Sequence, residues 1–236
     1  MATMNEAFKL YRLQQRDSKL DKAYHRLNEI AEILGDRSAL DTAEAQEQAR
    51  KQALDAAHKN LRKAETAVQD QRLKIKQTET KLYSGTVRNP KELQDLQNEA
   101  EALQRFLGVL EDRQLEAMIA VDEAKEAHQV AVTHLEAVKA KREKQRLKLS
   151  AEQEELQRQV AMLETERQAT ANTVSATSLQ LYETLRKQRH GLAVAKISEN
   201  ACTACGSILS SQLLQEARSP QQISRCSACN RILYIG

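Results

Sequence analysis

Apolar positions step along this chain by threes and fours rather than alternating. From the N-terminal end they run Leu10, Leu13, Leu20, Tyr24, Leu27, Ala31 and Leu34, with Asp17 interrupting the row. This is the 3.5-residue period of a coiled coil. A second row follows at Leu40, Ala43, Leu54, Ala57, Leu61, Ala64, Val68, Ile75 and Leu82, out of register with the first. The change falls at Leu34-Gly35-Asp36, where glycine weakens a helix. A kink or short interruption is expected there.

The pattern stops at Ser84-Gly85 and restarts at Asn89-Pro90-Lys91-Glu92. Asn89 suits a helix cap, and Pro90 suits the first helical position because its missing N–H has no partner there. Glu92 is placed to reach back to the cap. A third row then holds one register through Leu93, Leu96, Ala100, Leu103, Leu107, Leu110, Ala117, Val121, Ala124, Ala131, Leu135, Val138, Leu149, Leu156 and Leu163. Two helical stretches of similar length joined by a capped turn close most simply as an antiparallel hairpin. Each arm of about eighty residues would extend about 120 Å. With Leu82 opposite Leu93, the Gly35 region comes opposite Arg142. Polar residues at Gln114, His128, Arg142 and Gln145 interrupt the seam, where they specify register or mark local openings.

From Gln168 to Ser178 the pattern dissolves into Ser, Thr, Asn and Ala, which reads as a hinge or frayed helix end. A short amphipathic helix with Leu179, Tyr182 and Leu185 follows, ending near His190-Gly191. Leu192–Ile197 reads as a strand, as do Ile223 and Ile232-Leu233-Tyr234. Ser210 or Ser211 can cap a short helix carrying Leu213 and Leu214.

Composition narrows the fold class. Aromatics are 3% of the 236 residues, charged residues 29%, and there are only six Gly, two Pro and no Trp. Such a chain suits long helices and does not fill a wide core. The expected class is mostly α: residues 1–175 as an antiparallel coiled-coil hairpin turning near 83–90, and residues 176–236 as a small ribbon domain of short strands with a lead-in helix. The polar N-terminal stretch and the absence of a long apolar run point to a soluble, cytoplasmic protein.

All four cysteines lie in the last few dozen residues, as C-x2-C, twenty residues, then C-x2-C. In a reducing compartment such pairs are metal ligands more often than disulfides. The spacing is that of a four-cysteine zinc site formed by Cys202, Cys205, Cys226 and Cys229, holding one structural Zn2+. Gly206, and Asn230 at the equivalent place, tolerate the left-handed backbone that folds the chain back over the sulfurs. A mononuclear iron site would have only Tyr234 as an aromatic to pack around it. A redox dithiol lacks its thioredoxin-like context, and four cysteines leave no open position for catalytic zinc. About 45 residues cannot build a self-sufficient core, so the metal should supply much of the folding free energy.

The segments KLYSGTVRNPKELQDLQNE at the turn, LYETLRKQRHGLAVAKI before the ribbon, CTACG and RCSACNRILY carry a resemblance. With the heptads they cover nearly the whole chain, which resembles the bacterial family of coiled-coil hairpin proteins ending in a C4-type zinc ribbon. Members often have Pro where this chain has NTVSATS, and Gly where it has Asn230. The resemblance implies a non-enzymatic protein. Members have been proposed to bind nucleic acid, and some to bind transcription machinery such as alternative sigma factors.

Two functions follow as expectations. One is a protein-interaction adaptor whose partner is a sigma factor or RNA polymerase. The other is nucleic-acid binding, RNA ahead of DNA, through Lys139, Lys141, Arg142, Lys144, Arg146 and Lys148 on the hairpin and Arg186, Lys187, Arg189, Arg225 and Arg231 around the ribbon. Net charge, +3 with neutral thiols, does not decide between them, because four thiolates on one dication bring it to about +1. Glu29, Glu32 and Asp36 would face the Lys139–Lys148 run and could pair with it. No phosphate loop and no Ser/His/Asp or Cys/His arrangement appears, so no enzyme, membrane partner or small-molecule substrate is expected.

Overall fold

The protein is described here by a computed structural model covering residues 5–219 and 222–236; the first four residues of the polar N-terminal stretch lie outside it. Its elements in chain order are α1 (Glu6–Gly35), α2 (Ser38–Tyr83), α3 (Pro90–Ala171), α4 (Ala176–Gln188), β1 (Val194–Ser198), β2 (Ala201–Cys202), α5 (Ser211–Arg218) and β3 (Ile232–Tyr234). The fold is a long helical hairpin with a small C-terminal strand region that carries the cysteines. It divides into two compact units, Met1–Gly35 with Arg146–Gly236, and Asp36–Gln145.

The unit Asp36–Gln145 holds α2 and the first two-thirds of α3. Its seam is the one the sequence lays out, with Ala43, Val68, Ile75, Leu110 and Val121 all buried. Helix α2 stops at Tyr83, and Gly85 turns the chain with φ +71. Asn89 Oδ1 then accepts from the Lys91 N–H at 3.0 Å, and Pro90 opens α3. Glu92 makes no return bond to the cap among the described residues. Two polar residues at the seam have partners: His128 Nε2 meets Glu47 Oε1 at 2.9 Å, and Gln71 Nε2 donates to the Leu103 carbonyl at 2.9 Å. Arg142 donates to the Asp36 carbonyl, so the expected juxtaposition across the hairpin is present. Gln145 is exposed instead of lying in the seam.

The interruption at Gly35 is two residues long. Asp36 Oδ1 accepts from the Ser38 N–H at 2.9 Å and so satisfies a free donor at the start of α2. This bond holds the Asp36 carboxyl below its usual pKa range, with Arg142 assisting.

In the other unit, α1 runs against the last third of α3. The first row of the sequence needs a correction here. Tyr24 and Ala31 are exposed, and the buried positions are Leu20, Ala23 and Ile30, with Leu27 half-buried. Residues 23 and 24 both stand three or four steps from Leu20 and Leu27, so spacing alone does not choose between them. Glu29, expected to face the basic run, pairs on its own helix with Arg26 at 2.9 Å, and Arg26 also reaches Glu152 at 2.7 Å.

The stretch after α3 is a capped corner, not a frayed end. Ser175 Oγ accepts from the Ser178 N–H at 3.3 Å and starts α4. The three-stranded sheet has the order β2-β1-β3, with β1 antiparallel to β2 and parallel to β3. Ile223 lies outside the strands; Arg225, two residues on, forms an isolated bridge to Ile232. The sheet packs against the first helix. Helix α1 packs on α4, β1 and β3, burying Ala7, Leu10 and Leu13 with Tyr182, Leu185, Val194 and Ile232 in one core. The N-terminal turns of the chain thus supply the apolar mass that the tail lacks.

Two buried polar side chains on α1 fix this packing. Gln14 Oε1 accepts from the Ala193 N–H at 2.7 Å, while its Nε2 donates to the Gly191 carbonyl at 2.7 Å. Asp17, which looks like a seam defect in the sequence, takes Arg167 Nε from α3 at 2.6 Å and the Tyr182 hydroxyl from α4 at 2.6 Å. Arg186 Nε lies 3.5 Å from the oxygen that Tyr182 bonds. One carboxylate therefore ties three helices together, and its burial is tolerable because both oxygens are matched.

Candidate metal centre

Strand β1 leads to the first pair of cysteines through a two-residue hairpin. Ser198 pairs with Ala201, and the connecting Glu199 and Asn200 have φ of +50 and +59. Two positive φ values match the twist of an antiparallel pair, and the hairpin places Cys202 in β2 with no exposed surface.

Each C-x2-C pair then folds into the same turn. The Cys202 N–H donates to the Ser207 carbonyl at 3.0 Å, and the Gly206 N–H donates back to the Cys202 carbonyl at 2.8 Å. In the second turn the Cys226 N–H donates to the Arg231 carbonyl at 2.8 Å, and the Asn230 N–H to the Cys226 carbonyl at 2.8 Å. Gly206 has φ +73 and Asn230 φ +61. Glycine and asparagine are the residues that adopt this conformation at least cost, and the sequence places one after each pair.

The two turns face one another. Cys202 Sγ lies 3.8 Å from Cys229 Sγ, and Cys205 Sγ lies 3.7 Å from Cys226 Sγ. All four sulfurs lie within 4.8 Å of one another. These separations exclude disulfides, whose sulfurs are about 2.05 Å apart. A tetrahedral ion bonded to four sulfurs at about 2.3 Å sets them about 3.8 Å apart, so these two separations match edges of such a tetrahedron. The four cysteines can hold one metal ion.

Cys202, Cys226 and Cys229 are buried with Ala195, Leu209, Ala217 and Leu233, and Leu213 and Leu214 of α5 pack against them. Ser210 Oγ caps α5 by accepting from the Leu213 N–H at 3.3 Å. Burial pushes the Cys202 thiol up to about 12 and also raises Cys226. The Ser207 hydroxyl and N–H beside Cys205 hold that thiol down to about 6. A coordinated dication removes the obstacle for the buried thiols, because a bound thiol is deprotonated outright.

Some of the basic residues singled out in the sequence are engaged by other groups of the chain and others are exposed. Arg186 lies in the Asp17 cluster and bonds Asp21 at 2.5 Å. Arg231 Nε donates to the Leu192 carbonyl at 2.8 Å, closing the chain between α4 and β1. Arg142 binds the Asp36 carbonyl, and Arg189 is half-buried. Lys139, Lys141, Lys144, Lys148, Lys187 and Arg225 are exposed, as is Arg146. Sequence reading missed Asp17 and Gln14. Their one signal was polarity on a face that is otherwise apolar.

Residues 13–190 match the family model described as the CT398-like coiled coil hairpin domain. No curated protein matches the chain. Among solved structures, CT398 from Chlamydia trachomatis superposes with a TM-score of 0.76 at 17% identity, covering 98% of each chain. A protein from Mycobacterium smegmatis gives 0.67 at 21% identity, covering 98% of this chain and 99% of its own. The HP0958 protein from Helicobacter pylori gives 0.50 at 16%, covering 98% and 97%. At these identities the solved structures speak for the fold. Among the described residues, no helix is long and apolar enough to cross a membrane. With residues 13–190 matched by the family model and four cysteines gathered beyond them, the chain belongs to the CT398-like coiled-coil hairpin family.

Proposed function

We propose that this protein is a non-enzymatic adaptor, in which a structural Zn2+ held by Cys202, Cys205, Cys226 and Cys229 shapes a protein-binding end on a coiled-coil hairpin. Zinc suits the site because four thiolates at tetrahedral spacing are its usual structural donor set. All four positions are taken by the chain, so the ion has no place for water or substrate. The observation that carries the adaptor reading is the clamp through Gln14 and Asp17, which holds the cysteine region against α1, α3 and α4. A site braced in this way presents its surface in one orientation. Ile208, 86% exposed beside the first cysteine turn, offers that surface an apolar contact.

The partner proposed is transcription machinery, a sigma factor or RNA polymerase, on the strength of the resemblance in the turn and ribbon segments. Retention on the immobilised full-length chain, after nuclease treatment, tests it. RNA polymerase or sigma subunits held by the parent and lost with Ile208→Glu support the reading. Their absence from the parent material refutes it.

RNA binding is the second reading, favoured by the exposed Lys139, Lys141, Lys144, Lys148, Lys187 and Arg225. Its signature is affinity that falls steeply with salt, as counterions are released from phosphates. Affinity no better than that of a charge-matched helical peptide rejects it.

A further inference from the structure

In the unit Asp36–Gln145, α3 gives one face to α2 and leaves another in solvent. That outer face carries Leu115, Ile119 and Val130, which are 57%, 59% and 64% exposed. Val130 borders an open groove of about 780 Å³ between α2 and α3, to which Ala49, Ala53, Ala127 and Ala131 contribute alongside polar residues that include Arg50 and Glu126. Small side chains on both helices leave the depression, and a branched apolar side chain stands beside it. An exposed knob and an empty hole side by side are what a self-complementary contact requires.

Charge along the same face inverts about the same point. On the N-terminal side of Val130 lie Glu116, Glu123 and Glu126; on the C-terminal side lie His134, Lys141 and Lys144. The positions are symmetric. Fourteen residues either side of Val130 are Glu116 and Lys144; eleven either side are Ile119 and Lys141; seven either side are Glu123 and Ala137; four either side are Glu126 and His134. At about 100° per residue all of them fall within about 40° of the direction of Val130. All are exposed. An antiparallel copy of α3 crossing at Val130 therefore meets opposite charge at both ends and an apolar centre. A parallel copy would place acid against acid and base against base.

We propose that the exposed face of α3 from Glu116 to Lys144 binds the same face of a second copy of this chain, antiparallel, with each Val130 seated in the groove of the other and Glu116 paired with Lys144. The stem of Lys141 covers Ile119, and Glu126 meets His134. The seam is about 42 Å long and one helix wide on each side. That is the small end of specific interfaces, so the dimer is reversible and concentration-dependent, not obligate. Its ion pairs lie at the rim, so salt weakens it.

Sedimentation velocity on the metal-loaded full chain, across concentrations and at two salt levels, tests the proposal. The expected result is a monomer–dimer equilibrium shifted toward monomer by salt. Glu116→Lys and Lys144→Glu each set two like-charge pairs across the two-fold axis and raise the dissociation constant about tenfold. Combined in one chain, the two reversals restore opposite charges and bring the constant back to within a few-fold of the parent. Val130→Glu abolishes the dimer. Every site is on the surface, and unchanged circular dichroism shows that the variants fold. A monomer at all concentrations up to about 1 mM overturns the proposal, even if a foreign basic helix binds the face. So does a dimer indifferent to Val130→Glu, or a double reversal that fails to restore association.

Discussion

The Tyr182 hydroxyl donates to Asp17 at 2.6 Å across 165 positions of sequence, and both side chains are sealed from solvent. The contact joins α1 to α4, and with Arg167 it joins both to α3. Asp17→Asn removes the carboxylate that Arg167 and Arg186 share, leaving Arg186 with Asp21 and Arg167 with Glu183 at 3.8 Å, and should destabilise this unit by about 3 kcal/mol, the low end for breaking a buried pair. Tyr182→Phe removes one hydrogen bond and leaves that carboxylate oxygen only Arg186 at 3.5 Å, at about 1–3 kcal/mol. Urea unfolding followed by hydrogen exchange should show the loss in α1, α4 and β1, with the unit Asp36–Gln145 unchanged.

The same contact predicts an alkaline effect. Burial, then the bond to Asp17, raise the Tyr182 pKa above its ordinary value of 10.0. The folded state therefore keeps a proton that the unfolded chain gives up. The stabilisation is complete below about pH 10, the ordinary tyrosine value, and is lost as pH climbs from there through the folded value. Melting temperature measured from pH 8 upward should fall more steeply for the parent than for Tyr182→Phe. Parallel curves would remove this role from Tyr182.

Two glycines should respond in opposite directions to alanine. Gly85 sits at φ +71 in the turn, where a Cβ is strained although nothing lies within 4 Å. Gly108 lies within α3 with open space around it and no such φ. Gly85→Ala should destabilise the unit Asp36–Gln145 by about 1 kcal/mol, and Gly108→Ala should stabilise it by about 0.5–1 kcal/mol. Thermal melts of the two variants check both signs.

Much of the architecture was legible because local rules decide it. The heptads of α2 and α3, the cap at Asn89, the break after Gly35, and the positive φ at Gly206 and Asn230 depend on a few neighbouring residues each. The cysteine cluster was legible because its spacing leaves few alternatives. Contacts set over long separations were not. Asp17 is an acid on an apolar row, and nothing nearby says that Tyr182, Arg167 and Arg186 will surround it. Arg186 and Arg231 read as free charge for a nucleic acid, yet each is engaged by groups far along the chain. The choice of Ala23 and Ile30 over Tyr24 and Ala31 lies in which face α3 occupies, a fact absent from the spacing of α1.

Cys226→Ser removes one of the four sulfurs and should abolish stoichiometric metal binding. The amides of β2, α5 and the turn at 226–230 should lose protection. Because Ile232 and Val194 share a core with Leu10 and Leu13, the first turns of α1 should loosen as well. Most of the helical circular dichroism should remain, since α2 and the first two-thirds of α3 belong to the other unit. Collapse of the whole helical signal would contradict this division.

The metal content of the purified, reduced chain tests the central claim most directly. Elemental analysis together with thiol titration should find one zinc per chain and no reactive thiol until a chelator or acid releases the ion. Four reactive thiols, no stoichiometric zinc, and full protection of β2 and α5 in the same sample would contradict the account.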